Sequence, residues 1–120
     1  MIVGVGIDIA EVARYRFDAR ALAWFARKIY TEHEMAYALQ KRNWHERLAG
    51  FFAAKEATRK AFGHAIPWRN VGVTHQPSGR PTIELRAGAA RLLQLRGVRE
   101  IFLTITHTAE AAAAVVILEG

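Results

Sequence analysis

Asp8 is the first residue whose type does not fit its setting. It stands near the far end of "MIVGVGIDIAEV" (1–12), among apolar residues and glycines. In a strand, successive side chains point to opposite faces. Val3, Val5, Ile7 and Ile9 then share one wholly apolar face, and Ile2, Gly4, Gly6 and Asp8 share the other. Glycine inside a strand marks close approach by another backbone or a ligand, so the carboxylate lies on a face cleared of bulk. Taken alone, Asp8 also reads as a cap on the strand end or on a helix starting at Glu11. A second carboxylate, Glu56, lies in "FFAAKEATRKAFG" (51–63), with Lys60 one helical turn on. At that spacing the two read as an exposed pair worth ~0.2–0.5 kcal/mol. Gly50, Ala53, Ala57 and Ala61 form a small-residue stripe flanked by Glu56, which lets this helix approach another element closely. His107 ends an alternating stretch between Thr106 and Thr108. Histidine serves as acid, base or phosphate hydrogen-bond donor near neutral pH, and at a strand end it also serves as a purely structural hydrogen-bonder. His33, His45, His64 and His75 lack such a setting. No His cluster has zinc-ligand spacing, and the P-loop, GxGxxG and GxSxG motifs are absent.

Several elements have to position these groups. "DARALAWFARKIY" places Leu22, Phe25 and Ile29 at helical spacing, with Asp18 as N-cap. Thr31 and Glu34 have capping-box spacing and start a short helix through Met35 and Leu39. Asn43 and Glu46 repeat the signal before a third helix that runs to Gly63, a natural stop. Residues 64–81 are loop-like, with Pro67, Pro77, Gly79 and Pro81, and hold a short strand at "VGVTHQ". "PTIELR" reads as a strand and "AGAARLLQLRG" as a helix closed by Gly97. "EIFLTITHT" alternates, with Ile101, Leu103, Ile105 and His107 on one face. In "AAAAVVILEG" alanine favours helix while Val115, Val116 and Ile117 favour strand; we assign a strand, in a hairpin with the preceding one. The mixture lacks a βαβ rhythm and predicts an α+β fold with a mainly antiparallel sheet packed against helices.

At 120 residues, 52% of them hydrophobic and 23% charged, the chain suits one globular domain, residues 1–120. It has no cysteine, which removes disulfides and thiolate metal sites and fits a reducing compartment. No apolar run reaches the ~18 residues of a membrane span, and no signal peptide opens the chain, so the expected location is the cytoplasm, away from membranes. The net charge of +6 favours an acidic partner without choosing among nucleic acid, phosphate-bearing ligand, anionic membrane and acidic protein.

Taken in order, these stretches resemble the holo-[acyl-carrier-protein] synthases, small bacterial 4′-phosphopantetheinyl transferases. "GIDIAEVAR" (6–14), "FARKIYTEHE" (25–34), "LAGFFAAKEATRKAFG" (48–63), "SGRPTIEL" (78–85) and "LTITHTAEAAAAVVILE" (103–119) carry the resemblance over nearly the whole chain. It implies transfer of the phosphopantetheine arm of coenzyme A to a serine of acyl carrier protein, in fatty acid biosynthesis. The serine hydroxyl attacks the β-phosphate and adenosine 3′,5′-bisphosphate leaves. Asp8 and Glu56 match the family's magnesium ligands, which bind the ion together with the coenzyme A pyrophosphate. Magnesium characteristically takes one or two carboxylates, waters and phosphate oxygens. Lys60 matches a lysine that contacts phosphate oxygens, His107 the histidine close to the nucleotide, and Gly63 opens the loop on the coenzyme side. The resemblance thus makes Glu56, Lys60 and His107 the catalytic set. Glu56 acting through a water on the ion, or a water alone, takes the serine proton. Arg14 matches an arginine that pairs with carboxylates of the acidic carrier. Arg20, Arg27 and Lys28 also suit such docking, or form a solvated face. The resemblance further implies a homotrimer with active sites between subunits.

Three departures stand out. Phe51 replaces an arginine common in relatives, Ala65 the second glycine of "GTGI", and Trp24 a basic residue. Two rival readings are a small basic nucleic-acid-binding domain, supported by charge alone and lacking RNP, KH or zinc-finger motifs, and a non-catalytic subunit of a larger synthase.

Overall fold

The computed structural model describes residues 1–120. In chain order it forms β1 (Ile2–Glu11), α1 (Ala19–Lys28), α2 (Glu32–Leu39), α3 (Trp44–Phe62), β2 (Val71–His75), β3 (Pro81–Leu85), α4 (Arg91–Leu95), β4 (Glu100–His107) and β5 (Ala111–Glu119). Short 3-10 turns fill Val12–Tyr15, Trp68–Asn70 and Ala87–Ala90. The long strands make an antiparallel sheet ordered β1-β5-β4, and β2 and β3 pair as a separate antiparallel hairpin. No helix is long and apolar enough to cross a membrane.

Capping chemistry sets the helix ends. Asp18 accepts from the Ala21 backbone N–H at 2.8 Å. Thr31 and Glu34 form the reciprocal capping box. Gly63 closes α3 at φ 62°, a left-handed conformation that costs glycine little. The second expected capping box does not form. Asn43 sits at φ −92°, ψ 41°, away from the extended conformation a capping side chain uses, and it makes no side-chain cap bond. Glu46 is drawn off instead by a partner on β4. The segment after β3 is also less helical than its sequence suggests: a 3-10 turn leads into the five-residue α4, before Gly97 at φ 63°.

The alanine-rich end is a strand. β5 lies between β1 and β4, and its Ala112, Ala114, Val116 and Leu118 are buried in strict alternation. Central pairing on both edges outweighs alanine's helix preference.

α3 lies across the inner face of this sheet and supplies Leu48, Ala49, Phe51, Ala53, Ala54, Ala57 and Phe62 to one contiguous core. A Cβ at Gly6 would overlap the Ala57 carbonyl oxygen, and one at Gly4 the Ala61 carbonyl oxygen. Strand and helix backbones therefore meet directly, as the glycines of β1 and the small-residue stripe of α3 required. The other face of β1 is bare: Val3, Val5, Ile7 and Ile9 are 44–71% exposed.

A buried ion pair ties α2 and α3 to the hairpin. Lys55 Nζ lies 2.8 Å from Glu34 Oε1 and donates to Glu34 Oε2 at 2.9 Å, to the Trp68 carbonyl at 3.0 Å and to the Val71 carbonyl at 2.6 Å. Glu34 also accepts from the N–H groups of Thr31 and Val73. Both side chains are fully buried. Burial pushes the Lys55 ammonium below its usual pKa, and Glu34 pulls it back up.

Candidate active site

The contact between β1 and α3 decides where Asp8 goes. It follows Gly4 and Gly6 along the face that meets the helix, and its side chain is 18% exposed. Lys60 does not pair with Glu56, as the spacing within the helix suggested. It reaches across to β1 and donates to Asp8 Oδ1 and to the Ile7 carbonyl, each at 3.1 Å. Glu56, one turn back on α3, is held from its other side. Arg59 donates to its Oε1 at 2.8 Å and the Trp68 indole N–H donates to the same oxygen. Asp8 Oδ2 and Glu56 Oε2 receive no side-chain or backbone donor, so each carboxylate offers one unheld oxygen. Both carboxylates act on Tyr15. Its phenol is pushed up to about 12, chiefly by burial, with Asp8 adding, Arg14 opposing and Glu56 adding again. It stays protonated throughout the physiological range.

Two carboxylates with free oxygens beside a lysine are a hard, oxygen-only donor set, and the structure holds no group of three or more His, Cys, Asp or Glu able to make a complete protein cage. That fits magnesium, which characteristically shares its sphere with waters and substrate phosphates rather than filling it with protein.

His107 belongs to a different place. Its Nδ1 is 2.9 Å from Glu46 Oε1 at the start of α3, and a carboxylate there accepts the Nδ1 proton and leaves Nε2 free. Glu46 and Glu56 are ten residues apart on one helix, or about 15 Å at ~1.5 Å per residue. Within one chain His107 and Asp8–Glu56–Lys60 therefore do not share a site. His107 lines a cavity of about 110 Å³ with Glu46, Arg47, Phe51, His75, Gly79 and Pro81. The Nε of Arg47, one of the lining residues, is buried without a hydrogen-bond partner. Tyr37 and His75 stack at 3.7 Å with their planes 3° apart, and Phe51 meets His75 edge-on. His75 titrates below its usual value because of burial first, then the charges of His33, Arg47 and Lys41.

Gly63 leaves open space where a side chain would stand, at the end of α3 that carries Lys60. Arg14 lies in the turn after β1, 3.7 Å from Glu11, with both side chains more than 70% exposed. Sequence reading missed Lys55, Arg59, Trp68 and Arg47. Lys55 had a detectable signal, since Leu48, Phe51, Lys55, Thr58 and Phe62 recur at alternating three- and four-residue steps and all are buried.

A model of the 4′-phosphopantetheinyl transferase superfamily matches residues 4–116. The holo-[acyl-carrier-protein] synthase of Solibacter usitatus is 46% identical over the full length of both chains. The holo-[acyl-carrier-protein] synthase structure from Neisseria meningitidis superposes with a TM-score of 0.88 at 30% identity, covering 100% of each chain. That from Bacillus anthracis, in complex with coenzyme A (3′,5′-ADP), gives 0.78 at 32% identity over 98% of this chain and 96% of that one. The chain belongs to the holo-[acyl-carrier-protein] synthase family of the 4′-phosphopantetheinyl transferase superfamily.

Proposed function

We propose that this 4′-phosphopantetheinyl transferase moves the phosphopantetheine arm of coenzyme A to a serine of apo acyl carrier protein, with magnesium held by Asp8 and Glu56. One observation carries the reading: backbone contact between β1 and α3 sets Asp8 against Lys60, one helical turn from Glu56, both carboxylates act on Tyr15, and each keeps an unheld oxygen. Bound magnesium would neutralise pyrophosphate charge. Lys60 has one N–H not used by Asp8 or Ile7 and turns it to a phosphate oxygen. The serine Oγ gives up its proton to a water and forms a bond to the β-phosphorus, the bond to the bridging oxygen breaks, and adenosine 3′,5′-bisphosphate leaves.

The nucleotide end belongs to the His107 cavity. Among its lining residues His107 and Arg47 are the donors offered to an anion, the Glu46 carboxylate being engaged by His107 Nδ1, and Arg47 stands one turn before Phe51, where many relatives carry arginine. The length of α3 separates this cavity from Asp8 and Glu56, which supports a site completed between subunits. The bare apolar face of β1 supports the same assembly; the number three comes from the family resemblance. Arg14 docks the acidic carrier, supported by its exposure on the turn after Asp8's strand. The whole chain works as one domain, in the cytoplasm, within fatty acid biosynthesis.

The test is to incubate the protein with coenzyme A, magnesium and apo acyl carrier protein, then weigh the carrier. It should gain one phosphopantetheine, and Asp8→Asn or Glu56→Gln should nearly abolish the gain with the fold intact. Normal turnover by both variants at limiting magnesium would refute the assignment of the two carboxylates.

A further inference from the structure

We propose that Trp68 and Arg59 form a clamp that fixes the Glu56 carboxylate so that only Oε2 is presented to a divalent cation. They are positioning residues, acting through Glu56. This inference rests on the reading of Glu56 as a magnesium ligand.

Five contacts carry it. The Trp68 indole N–H and the Arg59 guanidinium converge on the same oxygen, Oε1. Arg59 also lies over the Trp68 ring, 5.1 Å from its centroid, so the two donors brace each other. The Trp68 carbonyl is held at 3.0 Å by the buried Lys55, the residue before Glu56 on α3. Phe52 packs against the Trp68 ring at 5.9 Å. The indole donor is thus locked to the helix that carries its acceptor. Glutamate has three rotatable side-chain bonds, and an ion bound through one of its oxygens would otherwise have to order them. Two donors on Oε1 do that ordering in advance and leave the other oxygen's lone pairs free. Outer partners of metal ligands act in this way, and losing one typically costs ~10–100-fold in metal affinity. Arg59 is about a quarter exposed, so its charge in this place is not needed to fill the core.

The probe is Mn²⁺ as a paramagnetic stand-in for magnesium, titrated into the full chain in the presence of coenzyme A and without carrier. Free Mn²⁺ is read by electron paramagnetic resonance. Trp68→Phe keeps a ring and removes the donor; Arg59→Met keeps the aliphatic stem and removes the guanidinium. Each should weaken Mn²⁺ binding about 10–100-fold. Coenzyme A affinity in the presence of a chelator should stay within about twofold of wild type, because the clamp acts on the metal alone. The double variant should lose less than the product of the two single losses, since both residues hold one atom. Glu56→Gln is the control for the underlying reading. If it loses Mn²⁺ while Trp68→Phe and Arg59→Met bind as wild type, the clamp is wrong and the metal assignment stands. If Glu56→Gln itself binds Mn²⁺ as wild type, the metal assignment fails and the clamp with it. Should Trp68→Phe fail to fold, wild-type Mn²⁺ affinity in Arg59→Met overturns the clamp on its own.

Discussion

Lys55 and Lys60 lie on the same helix, and each faces a carboxylate from another element, yet their surroundings are opposite. Lys55 is fully buried, and its three N–H donors are taken by Glu34 and the carbonyls of Trp68 and Val71. Lys60 is 56% exposed and has two donors engaged, by Asp8 and Ile7. An ammonium has three donors to place. Lys55 has none left and is scaffold; Lys60 has one left and is open to a ligand. The dielectric surroundings reinforce the division. A buried pair is costly to break because the surviving charge has no water to turn to, whereas an exposed pair is worth ~0–1 kcal/mol and exchanges partners readily.

That contrast can be broken at either lysine. Lys55→Ala should lose about 3–5 kcal/mol of folding stability, because Glu34 would be left charged and buried. Denaturant unfolding measures it, and a loss below about 1 kcal/mol would mean that the buried pair is not the scaffold described. Lys60→Ala should melt within a degree or two of wild type, while kcat at saturating substrates and magnesium falls by the ~2.7–4 kcal/mol of a lost transition-state donor, or roughly two to three orders of magnitude. Retention of more than about a third of wild-type kcat would reduce Lys60 to a surface partner of Asp8.

Two smaller effects sharpen the picture at the periphery. Arg14→Ala should raise KM for the carrier several-fold and leave KM for coenzyme A nearly unchanged, and the wild-type advantage should shrink with added salt. Equal, salt-insensitive changes in both constants would make Arg14 structural. The least effect belongs to His75, whose neutral form the fold favours, so its folded pKa lies below the usual 6.5. Between those two values the unfolded chain binds more protons than the folded one, and stability rises with pH. The His75 contribution is complete above pH 6.5 and is lost as pH falls through 6.5 toward the folded value. His75→Gln should remove that part of the acid dependence; an unchanged slope in stability against pH would show that His75 is not its source.

Much of this was legible in the sequence because it is local. The two faces of β1, the Asp18 cap, the Thr31–Glu34 box and the Gly63 stop are each decided within a few residues, and the structure contains them all. The Asn43–Glu46 signal failed because a residue 61 positions away, His107, competes for the same carboxylate. The Glu56–Lys60 pair failed for the same reason, since Asp8 is 52 positions from Lys60 and takes it. Arg59 and Trp68 were invisible as a pair because Trp68 lies beyond the helix, in a turn whose placement depends on Lys55. Spacing reports which side chains share a face; it does not report which of two acceptors a long cation reaches.

The direct meeting of β1 and α3 backbones has a genetic consequence. At Gly4 and Gly6 every other amino acid collides with a carbonyl oxygen, so each codon change that alters the residue should be purged. Between them, Val5 and its neighbours Val3 and Ile7 face outward from the single chain. If the chain worked alone, a saturation scan of residues 3–9 would show tolerance rising and falling with every second codon. If the outward face is covered in the working assembly, polar replacements there should be purged as well, and the alternation should flatten into a continuous run of intolerance. A growth selection thus reports on the assembly without purification of the protein.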